Sequence, residues 1–420
     1  MGAGGRRRGL LADTRPLRES PAFRRLWAGS TVSALGGAMT SFALALQTYD
    51  LTHSSIAVGA IGLVQAVPVV TLGLFGGSFA DAVDRRRLVL ATSGGLTVVS
   101  GVLAGQAFAG LRQLWLLYLL AALAATLESV DGPARRTFLP RLVAPERVPA
   151  GVALNMISFY VSFLAGPVLA GVVTAAAGLR VCYLVDAVSF GAALYGVARL
   201  PAMPPAGAPA RPGLRAVAEG LRYIRRQPVL TAAFLADLDA TVLGMPVALF
   251  PALNAARFGG SPRTLGLLYA GLAAGGLLGS TLSGPAGRVA RKARAMLFTV
   301  AVWGAAIAGF GFARVWWLAV AMLVVAGAAD TTTVIFRGSI VQTTTPDQFR
   351  GRVTAVDYVI GAGVPRLGNF EAGAVASLTS PAVSAVSGGL AAMAGAILIR
   401  LAFPAVARRD PQSRAALSGN

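Results

Sequence analysis

Six carboxylates stand inside long apolar runs: Glu128, Asp131, Asp186, Asp237, Asp239 and Asp330. A charged side chain at the centre of a bilayer costs about 2.5–3.5 kcal/mol on insertion scales, so such groups pair, bind an ion or move a proton. Glu128 and Asp131 are three residues apart and share a helix face. Asp237 and Asp239 are two apart, point to nearly opposite sides and cannot both line one cavity. Asp237 lies roughly 12 Å into its run by helical rise, the position closest to mid-membrane. Asp131 and Asp330 lie nearer the ends of their runs, where water or an arginine such as Arg135 or Arg337 gives them an equally good structural role. Arg366 can meet an anionic substrate group or simply neutralise Glu371. Gln47, Asn155 and Tyr160 either line a polar cavity with apolar walls or hydrogen-bond between helices.

Other chemistry is excluded by composition. One cysteine, Cys182, and one histidine, His53, allow neither an internal disulfide nor a thiol–imidazole metal cluster. Catalysis by a nucleophile and histidine would rest on His53, which sits in a short turn between two apolar segments. There is no Walker A sequence for nucleotide phosphates. The expectation is a protein that is not an enzyme and needs no cofactor or metal.

These side chains are carried by elements written for lipid. Hydrophobic residues make up 55% of the 420 and charged residues 13%, against about 25% charged in an ordinary soluble chain. A helix needs roughly 20 apolar residues to cross the hydrocarbon core. That ruler finds twelve spans, from Leu26–Tyr49 to Ala382–Leu401, including a seventh at Leu230–Leu253, a tenth at Trp316–Phe336 and an eleventh at Val353–Ser377 interrupted by Pro365-Arg366. The net charge of +20 does not point to nucleic acid, because no basic face interleaved with aromatics is visible. With alternate loops assigned to opposite sides, 31 of the 37 basic residues fall on the side of both termini and 5 on the other. The positive-inside rule then puts both termini in the cytoplasm of a multi-pass cell-membrane protein whose basic loops attract anionic lipid. A largely polar stretch precedes the first run, so a retained tail is expected in place of a cleaved signal peptide.

The organisation is bipartite: a tail at 1–25, six spans in 26–200, a linker at 201–229, six spans in 230–401 and a tail at 402–420. Pro201, Pro204, Pro205, Pro209 and Pro212 break the linker. Leu214, Val217, Leu221 and Ile224 then follow helical spacing with basic residues on other faces, as in a helix lying on a membrane surface. A weak repeat with an offset of 201 residues relates Arg136-Thr137-Phe138 to Arg337-Gly338-Ser339. Parallel six-helix repeats are one way that secondary transporters are built.

Between the second and third spans runs Gly77-Ser78-Phe79-Ala80-Asp81-Ala82-Val83-Asp84-Arg85-Arg86-Arg87. It resembles the loop signature of the major facilitator superfamily, in which a glycine four residues before an aspartate precedes an arginine cluster. Asp84 replaces the usual second glycine, a form found in the efflux branch that includes the enterobactin exporter. Resemblance to that branch extends through Asp131-Gly132-Pro133-Ala134-Arg135, Leu139-Pro140-Arg141-Leu142-Val143, Gly220-Leu221-Arg222-Tyr223-Ile224-Arg225-Arg226, Leu249-Phe250-Pro251-Ala252-Leu253 and Arg350-Gly351-Arg352-Val353. Gly166-Pro167 is similar to part of an antiporter motif whose upstream glycine spacing is absent, and a family arginine midway along the fourth helix is missing. The resemblance implies an all-helical transporter of two six-helix bundles. Gly77, Asp81, Arg85 and Arg86 would act as a conformational latch, and the first, fourth, seventh and tenth helices would line the cavity, which makes Glu128, Asp237 or Asp239, and Asp330 the candidates for proton coupling. It further implies proton-coupled efflux of a small amphiphilic molecule (siderophore, drug or metabolite) by a monomer. A nutrient uptake facilitator of the same fold and a transport-inactive membrane sensor are the alternatives.

Overall fold

The computed structural model describes residues 13–204, 214–281 and 289–404, without the side chains of 73–82 and 214–216. Among the described residues every regular element is a helix, in keeping with the bilayer's demand that backbone groups be satisfied within each segment. The first half contains α1 (Arg15–Glu19), α2 (Pro21–Thr52), α3 (Ser55–Ala82), α4 (Arg85–Phe108), α5 (Leu114–Arg136), α6 (Leu139–Leu142), α7 (Val148–Ala177) and α8 (Leu179–Ala198). The linker forms α9 (Leu214–Arg225). The second half contains α10 (Pro228–Leu243), α11 (Phe250–Arg257), α12 (Pro262–Thr281), α13 (Lys292–Phe312), α14 (Trp316–Thr344), α15 (Asp347–Leu378) and α16 (Pro381–Ala402).

Eleven segments are long and apolar enough to cross a membrane. The twelfth is α15, whose 32 residues span the required length while carrying Asp357, Arg366 and Glu371. It packs along α3 from Gly373 beside Ser55 to Gly363 beside Val70. The architecture is thus twelve membrane helices in two bundles of six.

The seventh span differs from the continuous run expected. Helix α10 stops at Leu243, a 3-10 turn covers Val247–Leu249, and α11 completes the crossing. Pro246 supplies no N–H and pushes its predecessor out of helical geometry. Gly244 is needed because a β-carbon there would lie 2.6 Å from Trp303 Nε1. The tenth span runs on past Phe336 to Thr344, so Arg337 is a buried helical residue and not part of a loop.

The loop arginines are tied to neighbouring chain ends. Asp84 caps α4, accepting from the N–H groups of Arg86 (2.9 Å) and Arg87 (3.2 Å), which explains an acid where the superfamily signature has glycine. Arg86 donates to the carbonyl of Ala198 (2.6 Å) at the end of α8, and the N–H of Arg85 donates to the carbonyl of Met203 (3.1 Å). The amphipathic α9 docks on the second half: Ile224 is buried, Tyr223 stacks on Phe349 at 4.5 Å, and Glu219 pairs with Arg352 at 2.9 Å.

Candidate functional site

The bundles meet where glycines allow backbones to touch. A β-carbon on Gly59 or Gly62 of α3 would lie 2.5 Å from the carbonyl oxygen of Asn369 or Arg366 of α15, and one on Gly171 of α7 would lie 2.5 Å from that of Pro262. Such contacts replace the hydrophobic drive that lipid cannot supply between helices. Near them Tyr269 of α12 is wedged between Phe42 of α2, at 5.8 Å, and Phe250 of α11, at 5.0 Å. All of these residues lie in the half of the molecule away from the arginine-rich face. The described packing therefore closes the molecule on that opposite face.

Glu128 on α5 is solvent-exposed although protein groups crowd around it, the combination expected of a side chain lining an open cavity. It lies within electrostatic reach of Arg366, on the other bundle, without direct contact. Arg366 turns one Nη toward the carbonyl of Ala362, while its Nε is buried without a hydrogen-bond partner. Glu371 is five residues further along α15, about 140° around the helix, so Glu128 and not Glu371 is the opposing charge.

The other carboxylates are held inside the bundles. Asp237 is 3% exposed and forms an ion pair with Arg337, whose Nε also lies 3.2 Å from Asp357. This joins α10, α14 and α15. Asp330 is partly buried and within reach of the same cluster. Asp239 points the other way, against Gly395 of α16, with one oxygen buried and unpartnered. In the first bundle Asp131 pairs with Arg135 and accepts from Thr92 Oγ1 (2.6 Å), while Arg135 donates to Ser93 (2.7 Å) and Ser30 (3.1 Å). Asp186, 2% exposed, accepts on one oxygen from Thr40 (2.9 Å) and Ser100 (2.7 Å).

Of the uncharged candidates, Gln47 is 7% exposed and engaged within the first bundle, bonded to Gln106 at 3.1 Å and accepting from Tyr183 at 2.8 Å. Asn155 is exposed on α7. Tyr160 lies beside Gly276 of α12, across the bundle interface, where a β-carbon would be 3.9 Å away. Of the latch candidates, Arg85 is buried and Arg86 makes the contact above, whereas the side chains of Gly77 and Asp81 lie outside the described residues. No spacing in the sequence points to Thr40 and Ser100 as partners of Asp186, to Gln106 and Tyr183 as partners of Gln47, or to Asp357 as a neighbour of Arg337. Arg337 was visible through the 201-residue repeat.

Two bundles of six membrane helices, closed at one face, define the architecture of a membrane transporter. The chain belongs to the transmembrane secretion effector family of the major facilitator superfamily, whose model matches residues 12–419. It is similar to the enterobactin exporter EntS of Citrobacter koseri, 26% identical over 396 residues that cover 94% of this chain and 95% of the relative. The EntS of Shigella boydii is 25% identical over 386 residues, 92% of each. Among solved structures, the peptide transporter POT with sulfate superposes with a TM-score of 0.75 at 12% identity, covering 93% of this chain and 96% of its own. A bacterial homologue of the iron transporter ferroportin in an inward-facing state gives 0.68 at 17% identity, covering 93% and 99%.

Proposed function

We propose that the chain exports a small amphiphilic molecule from the cytoplasm in exchange for protons, as a monomer working by alternating access. The two bundles, residues 26–200 and 230–401, would rock about the cavity, joined by the linker at 201–229. The basic-residue asymmetry supports a cytoplasmic arginine-rich face and cytoplasmic tails at 1–25 and 402–420. In that orientation the face closed by the described packing is the extracytoplasmic one. The relatives named as exporters support efflux as the direction.

The observation that carries this reading is the position of Glu128, open to solvent and opposed by Arg366 on the other bundle. How a substrate meets this pair sets the sign of coupling. A substrate hydroxyl or amine that donates to the Glu128 carboxylate competes with a proton, so binding one releases the other. A substrate anion that seized Arg366 would instead strip Glu128 of its cation and draw a proton in, and the two would travel together. Exchange therefore requires a substrate that meets Glu128 with a donor.

Binding of a catecholate siderophore, a macrolide and a cationic dye, measured against pH on the full chain and on Glu128→Gln, tests this. One proton released per substrate changes apparent affinity up to tenfold per pH unit, about 1.4 kcal/mol. Affinity for the transported probe should weaken as pH falls through the titration of Glu128, and the dependence should flatten in the variant. An unchanged slope in Glu128→Gln would remove the assignment, and affinity rising as pH falls would reverse the coupling.

A further inference from the structure

A cleft of about 460 Å³ opens between α13 and α16 on the arginine-rich face, lined by Arg291, Arg294 and Arg400 above Leu297, Phe298 and Ile397. The two helices come from distant parts of the second half, yet their ends match in height. Arg294 lies in the first turn of α13 and Arg400 in the last turn of α16. One helical turn deeper, Phe298 is 69% and Ile397 57% exposed. Each helix thus offers a guanidinium at the level where phospholipid phosphates lie and, about 5 Å further into the bilayer, a bare apolar side chain. None of the three arginines pairs with a carboxylate among the described residues, whereas Arg135, Arg147, Arg337, Arg350 and Arg352 all do. Arginine forks suit phosphate, and the apolar floor suits acyl chains.

We propose that this cleft is a binding site for one anionic phospholipid, held by its phosphate on Arg291, Arg294 and Arg400 with its chains along Phe298 and Ile397. The site requires only that α13 and α16 span the bilayer and does not rest on the transport reading. Its occupant joins α13 to α16 at the end of the second bundle, away from the cavity that contains Glu128.

The test is native mass spectrometry of the full chain in detergent with phosphatidylglycerol, cardiolipin or phosphatidylcholine. The comparison is between wild type, a cleft triple (R291Q, R294Q, R400Q) and a charge-matched triple on the same face (R24Q, R87Q, R136Q). The cleft triple should hold the anionic lipids roughly 100-fold more weakly, and the control triple should retain them. Equal loss in both triples would reduce the cleft to general surface charge and overturn the proposal. So would equal retention of phosphatidylcholine by the wild type. Displacement by inorganic phosphate at the lipid's own concentration would show a free-anion site and overturn the lipid assignment. The single variants R294Q and R400Q, each altering an exposed side chain, make the same comparison if the triple does not purify.

Discussion

Replacing Asp237 distinguishes a structural brace from a proton carrier. In Asp237→Asn the guanidinium of Arg337, 6% exposed, loses its buried partner and keeps only Asp357, 3.2 Å from its Nε and 32% exposed on its side chain. Two unit charges 4 Å apart at an effective dielectric of 20 attract by about 4 kcal/mol. Breaking a buried pair costs about 3–5 kcal/mol when the remaining charge is stranded. Because Asp357 still compensates Arg337, the lower end applies, about 3 kcal/mol. Asp357→Asn removes the partner that water already screens and should cost about 1 kcal/mol. For a unit of 150–250 residues each kcal/mol moves Tm by about 2–4 °C, so the expected losses are about 6–12 °C for Asp237→Asn and 2–4 °C for Asp357→Asn. Thermal unfolding of the full chain in detergent can be followed by the emission of Trp303, buried in the same bundle, and by dye labelling of Cys182, buried in the other. An Asp237→Asn protein that melts like wild type yet has lost proton-coupled transport would refute the brace and make Asp237 the carrier.

Other outcomes follow from single contacts. Tyr269→Phe should change stability by less than about 0.5 kcal/mol, because the buried hydroxyl has no hydrogen-bond partner in the structure, and a melting curve checks this. Tyr269→Ala should loosen closure between Phe42 and Phe250, read as faster labelling of cysteines introduced on the face away from the arginines. Gly59→Leu should force α3 from α15 and widen spin-label distances on that same face while the bundles keep their melting temperature. Asp186→Leu strands the hydroxyls of Thr40 and Ser100 and should cost about 1–3 kcal/mol for each, whereas Asp186→Asn, which keeps an acceptor, should cost less.

The helix count and bundle order were legible because lipid leaves few alternatives: apolar runs of fixed length, bounded by arginines. Irregularities inside the spans were harder to read. Gly244 and Pro246 stood in the sequence, yet mean hydropathy does not register a break that exposes no charge. Arg337 reads in the sequence as the end of the tenth span after Phe336, although Ile340 and Val341 continue the apolar face to Thr344. The partner that permits this burial, Asp237, is 100 residues away in the chain. Spacing correctly separated Asp237 from Asp239, and the structure supplies what it could not: one faces Arg337 and the other Gly395. For Gln47 the sequence leaves cavity lining and hydrogen bonding between helices both open, and the approach of Gln106 and Tyr183 decides for the second.

The distribution of strong and weak contacts bears directly on how the molecule can move. Ion pairs and short hydroxyl–carboxylate bonds tie α2, α4, α5 and α8 together in the first bundle and α10, α14 and α15 in the second. Among the described residues no hydrogen bond or ion pair joins one bundle to the other. Their contacts are glycines against carbonyls and aromatic edges, which gain dispersion energy only at close range and lose little else on parting. A polar bond broken inside a bundle would strand a charged or polar group in low dielectric, whereas separating Gly59 from Asn369 exposes only backbone already bonded within its own helix. The energetic hierarchy therefore permits rigid bundles to separate as units before either deforms. On the proposed reading Glu128 and Arg366 would sense that separation, because their mutual attraction crosses the interface without a bond that would lock it.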